Sequence, residues 1–268
     1  MAALRIWHQS TTEIDNIGVY KASLIERARL ILGGEAEIDV HGLPSGAHHG
    51  RAPSASLGNA YLHHRILEPI LHNVIEAERQ GYAAFVMGSF SDPFIRELRS
   101  AVDIPVISLT ESALLIGCSL GRYLVPISNA PAVAWMTRTS VEAYSLQARV
   151  LDVTSIDPPM NEPALAKGYA DPGPVIAAFT RAAERAVAAG ADVIIPAEGV
   201  LAQLLVINGV KTVAGAPVLD VFAAAWSSAL MMARLWQRTG LRVGRAWQYR
   251  RDDPELVGLL HDSGKTGG

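Results

Sequence analysis

The sequence predicts an α/β protein of two pseudo-symmetric lobes, each a mostly parallel sheet flanked by helices, with a ligand cleft between them. Two observations carry this. Short apolar runs alternate with stretches of helical length along the 268 residues, which is the pattern of βαβ units. The chain also repeats itself. Residues 83–113, AAFVMGSFSDPFIRELRSAVDIPVISLTESA, read as strand, polar turn, short helix, strand and the first turn of another helix. Residues 192–225, DVIIPAEGVLAQLLVINGVKTVAGAPVLDVFAAA, follow the same grammar. A period of about a hundred residues is too long for a solenoid repeat and implies two similar lobes. Each lobe then has a polar turn leaving the carboxyl end of a buried strand, where open α/β sheets bind ligands.

In chain order, residues 4–7 are a short apolar strand that runs into His8, Gln9 and Ser10. Residues 20–32 place Leu24, Ile25, Ala28 and Ile31 at helical spacing, and Gly33 and Gly34 stop that helix. Residues 36–40 are the second strand. The loop that follows, GLPSGAHHGRAPSASLGN, is rich in Gly, Pro, Ser and His, and a loop this long is commonly functional or mobile. Residues 61–80 form one amphipathic helix, kinked at Pro69 and closed by Gly81. After the first repeat, Ser108 or Thr110 caps a helix that carries Leu114, Leu115 and Cys118 inward and ends at Gly121. Residues 122–127 are a strand ending at Ser128 and Asn129, the second lobe's echo of the His8-Gln9-Ser10 turn. Residues 133–147 are helical, 149–153 a strand, and SIDPPMNEPALAKGYADPGP a second Pro-rich loop matching the first. Residues 175–189 form an Ala-rich helix and 221–238 a long last helix. The division expected is 1–112 plus 221–245 for the first lobe, 113–220 for the second, and 246–268 for a polar tail ending in a disordered SGKTGG.

Composition narrows the function classes. Half of the residues are hydrophobic, 18% are charged, the net charge is −3, and Lys and Arg form no run. Neither a nucleic acid nor a membrane surface is an expected partner. No apolar stretch reaches the roughly 18 residues that a membrane span requires, and the N-terminus lacks the features of a signal peptide. The single cysteine, Cys118, excludes an intrachain disulfide and fits a reducing, cytoplasmic setting, as an inert thiol inside an apolar helix. Trp226, Met231 and Trp236 on the last helix either supply a homo-oligomer interface or pack in the first lobe.

The candidate site residues lie at the strand ends. In the first turn Gly88 lets a ligand approach the backbone, Ser89 offers a hydroxyl and an N–H, and the N–H groups of Phe90 and Ser91 form an anion nest before a helix starting near Pro93. Ser91 and Asp92 read as N-caps of that helix. In the second turn, Ala197, Glu198 and Gly199, partial desolvation makes Glu198 a plausible general base or acid, or else it caps the following helix. His8 is a further acid–base candidate because imidazole titrates near neutrality. Gln9, Ser10, Thr110, Ser128 and Asn129 suit a carboxylate or amide ligand, although Ser128 and Asn129 are equally ordinary helix caps. The pairs His48-His49 and His63-His64, with His41 and His72, lack accompanying Cys or carboxylate ligands at metal spacing and read as surface or loop histidines. No dinucleotide fingerprint or P-loop is present, so no cofactor is expected.

At the GSFSDP and AEG turns, and in the IPVISLTESA and PVLDVFAAA segments, the sequence resembles the aspartate/glutamate/hydantoin racemase superfamily, from RIWHQST to about Arg238. The resemblance implies two lobes closing over a small carboxylate or cyclic amide. It also implies two cysteines, one per lobe, that exchange an α-proton, typically without cofactor. The first cysteine falls at Ser89, where the family turn usually reads Gly-Cys-Phe-Gly-Asp-Pro, and the second at Ala197 of a Gly-Cys-Ala-Gly turn. Neither is present. A serine hydroxyl is a far weaker acid than a thiol, and alanine exchanges no proton, so two-thiol racemisation is excluded. The expectation is an isomerase-, racemase- or lyase-type enzyme that moves a proton next to a carbonyl through Ser89, Glu198 and His8. The alternatives are a hydrolase opening a lactam, lactone or amide with Ser89 or Glu198-activated water, and a non-catalytic binder of small carboxylates.

Overall fold

Four parallel strands make the first sheet of the computed structural model, which describes residues 3–251 and 253–265. They are β1 (Leu4–Gln9), β2 (Ala36–His41), β3 (Ala84–Met87) and β4 (Val106–Ser108), in the order β2-β1-β3-β4. The second sheet has β5 (Leu124–Ser128), β6 (Thr154–Ser155) and β7 (Val193–Pro196), in the order β6-β5-β7. A parallel bridge from Ile194 to Val218 stands where the fourth strand would be, so the two sheets follow one order. Every residue of β3 and β7 is buried, as expected of parallel strands covered on both faces. The register pairs Gln9 with Met87, Met87 with Ser108, and Ile127 with Pro196, so neighbouring strands stop level and release their turns at one edge.

Helices cover both sheets. They are α1 (Gly18–Leu32), α2 (Ala60–Leu67), α3 (Pro69–Arg79), α4 (Ile95–Ala101) and α5 (Leu109–Leu120), then α6 (Pro131–Ala143), α7 (Glu162–Lys167), α8 (Gly173–Ala188), α9 (Gly199–Ile207), α10 (Val221–Thr239) and α11 (Pro254–Lys265). The single helix expected over 61–80 is two, because Pro69 has no N–H to donate and takes the first position of α3. The strand expected over 149–153 forms instead at Thr154–Ser155. Arg149 ends a short 3-10 turn and gives its guanidinium to the carbonyls of Cys118, Gly121 and Arg122. Between α9 and α10 lies a small antiparallel hairpin, β8 (Thr212–Val213) and β9 (Ala216–Pro217).

The last long helix returns to the first sheet. Asp220 caps α10 by accepting from the Ala223 N–H, and the same carboxylate takes Arg27 of α1. Phe222, Ala225, Trp226, Ala229 and Ala233 are buried along α10, whereas Met231 is exposed and Trp236 half-buried. Cys118 is half-buried on α5. The expected polar tail is docked rather than loose. Arg245 and Arg251 both bind Asp103, and α11 carries a buried His261 onto Glu76. Of the SGKTGG end, residues 263–265 continue α11, and 266–268 lie outside the described residues. Among the described residues no helix is long and apolar enough to cross a membrane.

Asp92 ties the lobes together instead of capping α4. The chain passes through positive φ at Asp92 and Phe94, so α4 starts only at Ile95. The Asp92 carboxylate accepts from Ser108 of its own lobe (2.8 Å) and, across the lobe boundary, from Tyr144 at the end of α6 (2.9 Å). Burial pushes this carboxyl up to about 7, against the pull of those two hydroxyls. The native protein therefore holds a proton at Asp92 between the ordinary value of 3.8 and about 7, where the unfolded chain has lost it. This contribution to stability is complete below 3.8 and is lost as the pH rises through about 7. In denaturant titrations across that window, Asp92→Asn should flatten the fall by on the order of 1–3 kcal/mol. An unchanged slope would show that Asp92 is not the titrating group.

Candidate active site

The turns that leave β1, β3 and β7 line one cavity of about 60 Å³. A water needs about 10–15 Å³ of such space, so the cavity has room for several waters or one small ring. The first lobe supplies Ser10, Thr11 and Thr12 after β1 and Gly88 to Ser91 after β3. The second lobe supplies Glu162, Val133, and Glu198 to Val200. The repeated turns thus meet on one space, as the strand ends require.

Glu198 is both a helix cap and a cavity residue. Its Oε1 accepts from the Val200 N–H (3.1 Å) and its Oε2 from the Leu201 N–H (2.7 Å), at the start of α9. Those bonds favour the ionised form. Burial and the nearby Glu162 carboxylate favour the neutral form more strongly, and the balance lifts the group to about 7. Glu162, at the first position of α7, is only 5% exposed, and its Oε2 accepts from Ser54 Oγ at 2.9 Å. Ser54 belongs to the first lobe's Pro-rich loop and Glu162 to the second lobe's, so this bond closes the two loops over the cavity.

Donors line the same cavity as the two carboxyls. Tyr20 of α1 is 2% exposed, and its hydroxyl has no partner among the described residues. A Cβ placed on Gly199 would come within 2.8 Å of that hydroxyl, so glycine is what lets the ring lie against the turn. Burial first, then the charges of Tyr169 and Glu198, keep its proton on well above 10, which makes Tyr20 a donor throughout the working range. Ser89 Oγ lies 3.0 Å from Ser91 Oγ and 3.4 Å from Thr11 Oγ1. The backbone N–H groups of Ser89 and Phe90 carry no protein partner among the described residues.

Six expected residues line the cavity or its turns directly: Ser89, Glu198, Ser10, Gly88, Phe90 and Gly199. The others face elsewhere. His8 is fully buried behind Gly88, where Trp226 donates to its Nδ1 and Phe222 packs edge-on; burial lowers it to about 3, so it is a neutral packing group. A Cβ on Gly88 would overlap the His8 ring. Gln9 spends its carbonyl oxygen on Trp7 and Asn73 and its amide on the Ser10 carbonyl. Ser128 donates to the Ala130 carbonyl, and Asn129 donates to the Met160 carbonyl. Thr110 and Ala197 are buried without reaching the cavity. The histidine pairs divide: His49 and His64 are exposed, but His48 and His63 line the cavity. His48 Nε2 bonds the Thr11 carbonyl at 2.8 Å. Among the described residues no cluster of three or more His, Cys, Asp or Glu could hold a metal ion.

Known proteins share this fold. Residues 22–229 match the family model described as Asp/Glu/Hydantoin racemase. The hydantoin racemase of Pseudomonas sp. (strain NS671) is 25% identical over 99 residues, which span 37% of this chain and 40% of that enzyme. The solved allantoin racemase from Pseudomonas fluorescens superposes with a TM-score of 0.70 at 19% identity, covering 94% of this chain and 98% of its own. The allantoin racemase from Klebsiella pneumoniae gives 0.68 at 19% identity, with 94% of each chain covered. At such identities the structural likeness is one of fold.

The coupling of the two carboxyls is open to direct measurement. Removing the Glu162 charge takes away a cause that raises Glu198, so Glu162→Gln should lower the Glu198 pKa below about 7 while burial keeps it above 4.5. Carbon-13 NMR titration of labelled glutamate side chains reads this. A Glu198 titration that does not move would mean that the two carboxyls do not sense each other.

Proposed function

This chain belongs to the Asp/Glu/hydantoin racemase family, and on that premise we propose that it is a cofactor-independent isomerase that moves a proton on the carbon beside a carbonyl of a small cyclic amide. The observation that carries this reading is Glu198, a cavity carboxyl held at about 7. General acid–base catalysis works best when the group's pKa lies near the working pH, since both forms are then populated. As carboxylate, Glu198 takes the C–H proton while that bond's electron pair moves onto the carbonyl oxygen. The Tyr20 hydroxyl and the unpaired N–H groups of Ser89 and Phe90 are the donors available to the resulting enolate oxygen. Return of a proton to carbon completes the exchange. No thiol takes part, because Cys118 does not line the cavity.

A neutral ring suits the cavity better than a carboxylate does. Two buried carboxyls line it, and no Lys or Arg does, so an anion would be desolvated beside like charge. The hydantoin and allantoin racemases among the relatives carry names consistent with a neutral cyclic substrate. Hydrolysis by Ser89 has weaker support, since among the described residues the serine hydroxyl bonds only to other hydroxyls and to the Ser91 N–H, with no imidazole bonded to it.

The test uses the enantiomers of 5-methylhydantoin and allantoin in D₂O, followed by proton NMR and polarimetry. Loss of the ring C–H signal with inversion is the expected outcome, at a rate that rises with pH to a plateau above about 7 as Glu198 ionises. Glu198→Gln should keep the fold, at the cost of one capping bond, and slow exchange by about 10²–10⁴-fold. Binding without exchange would establish a non-catalytic protein, and ring opening would establish a hydrolase.

A further inference from the structure

We propose that Tyr144 is a positioning residue for the proton transfer, holding the donor turn of the first lobe in place against the second lobe without touching the substrate; this rests on the isomerase reading above. The turn runs from Ser89 to Asp92. The Asp92 N–H closes it by donating to the Ser89 carbonyl at 3.3 Å, so the free N–H groups of Ser89 and Phe90 lie inside a loop that ends on Asp92. Asp92 and Phe94 have left-handed backbone, with φ of 45° and 61°. Such geometry is unfavourable for any residue with a side chain, and it persists only where surrounding contacts enforce it. The Asp92 carboxylate makes contacts of this kind in two directions. Ser108, which ends β4 and caps α5, donates at 2.8 Å from the same lobe. Tyr144 donates at 2.9 Å from the C-terminal end of α6, which packs on β5 of the second sheet.

These two contacts act differently. Ser108 fixes the turn to its own sheet, whereas Tyr144 fixes it to the lobe that carries Glu198. Ser91 shows how close the tether stands to the chemistry. It lines the cavity on one side and, on the other, a groove bounded by Asp92, Met136, Ser140 and Tyr144. Helix α6 reaches both sides, since Val133 near its start lines the cavity. The tether holds across the working range. Burial first, then the Asp92 charge, keeps the Tyr144 proton on well above 10. A carboxyl offers an acceptor oxygen to that proton whether or not it is itself protonated. Tyr144 does not line the cavity, so its effect on proton transfer is geometric. It sets where the donors for the enolate oxygen lie relative to the carboxylate that takes the C–H proton. A displacement of about 1 Å in such an arrangement can cost about 10²-fold in rate.

Kinetics separate this role from a merely structural one. Tyr144→Phe removes one hydroxyl and leaves the Ser108 contact. With 5-methylhydantoin in D₂O it should lower kcat for C–H exchange by about 10–10²-fold and leave KM nearly unchanged. The rate should still reach its plateau above about 7, because Glu198 is untouched. Asp92→Gly removes the group through which Tyr144 acts, and glycine takes left-handed backbone without steric cost. In that background Tyr144→Phe should have no further effect. Circular dichroism checks that each variant is folded, and the Tyr144→Phe kinetics decide alone if Asp92→Gly is not. Unaltered kcat in Tyr144→Phe, a loss confined to KM, or losses that multiply in the double variant overturn the role of Tyr144 while leaving that of Glu198. Absence of exchange by the unaltered protein on any hydantoin overturns the isomerase reading and this role with it.

Discussion

Two backbone N–H groups at the start of α9 hold the Glu198 carboxyl at the mouth of a parallel sheet, and the chemistry of the cavity depends on that hold. A carboxylate this deeply buried is costly unless hydrogen bonds replace its water. The helix terminus supplies the bonds and a favourable dipole, which stabilise the charge. Burial and Glu162 oppose it. Neither side wins outright, and a group poised between its two forms is what proton transfer needs. The reading of Glu198 as a helix cap and its reading as an acid–base group therefore describe the same two hydrogen bonds.

The rest of the fold keeps that group facing the first lobe. Level strand ends bring the turn after β3 to the same cavity as the turn after β7. Helix α10 returns from the second repeat to the first sheet, anchored where Asp220 meets Arg27. Asp92 reaches from the first lobe to Tyr144 of the second, directly beside the Ser89–Ser91 turn. At the cavity a hydroxyl–carboxylate bond joins Ser54 of one Pro-rich segment to Glu162 of the other. Opening that contact separates two loops rather than two packed cores, and loops are where local opening costs least.

Much of this architecture was legible in the chain. Parallel strands covered on both faces read as uninterrupted apolar runs, so FVM and VIIP stood out, and the turns after them followed. The strand-end rule places residues at an edge but does not say which way each side chain points. His8 and Gln9 lie inside β1, where neighbours face opposite sides of the sheet. His8 accordingly falls under α10 with Trp226, and Gln9 falls beside Trp7 and Asn73. Tyr20, His48, His63 and Glu162 were not legible as cavity residues because they arrive on helices and loops whose placement depends on tertiary closure. The Pro-rich loops were the available signal. Their matched positions in the two lobes marked the segments that meet over the cavity, though not the residues that do so.

A crystal structure with bound 5-methylhydantoin tests the central claim most directly, because it shows which atom Glu198 addresses. The account predicts the ring carbon that bears the exchangeable hydrogen at about 3–3.5 Å from a Glu198 carboxylate oxygen, the spacing of a near-attack arrangement, with the adjacent carbonyl oxygen toward Tyr20. A ring bound with its N–H groups on Glu198 and that carbon turned away, or a ring bound outside the cavity, would contradict it.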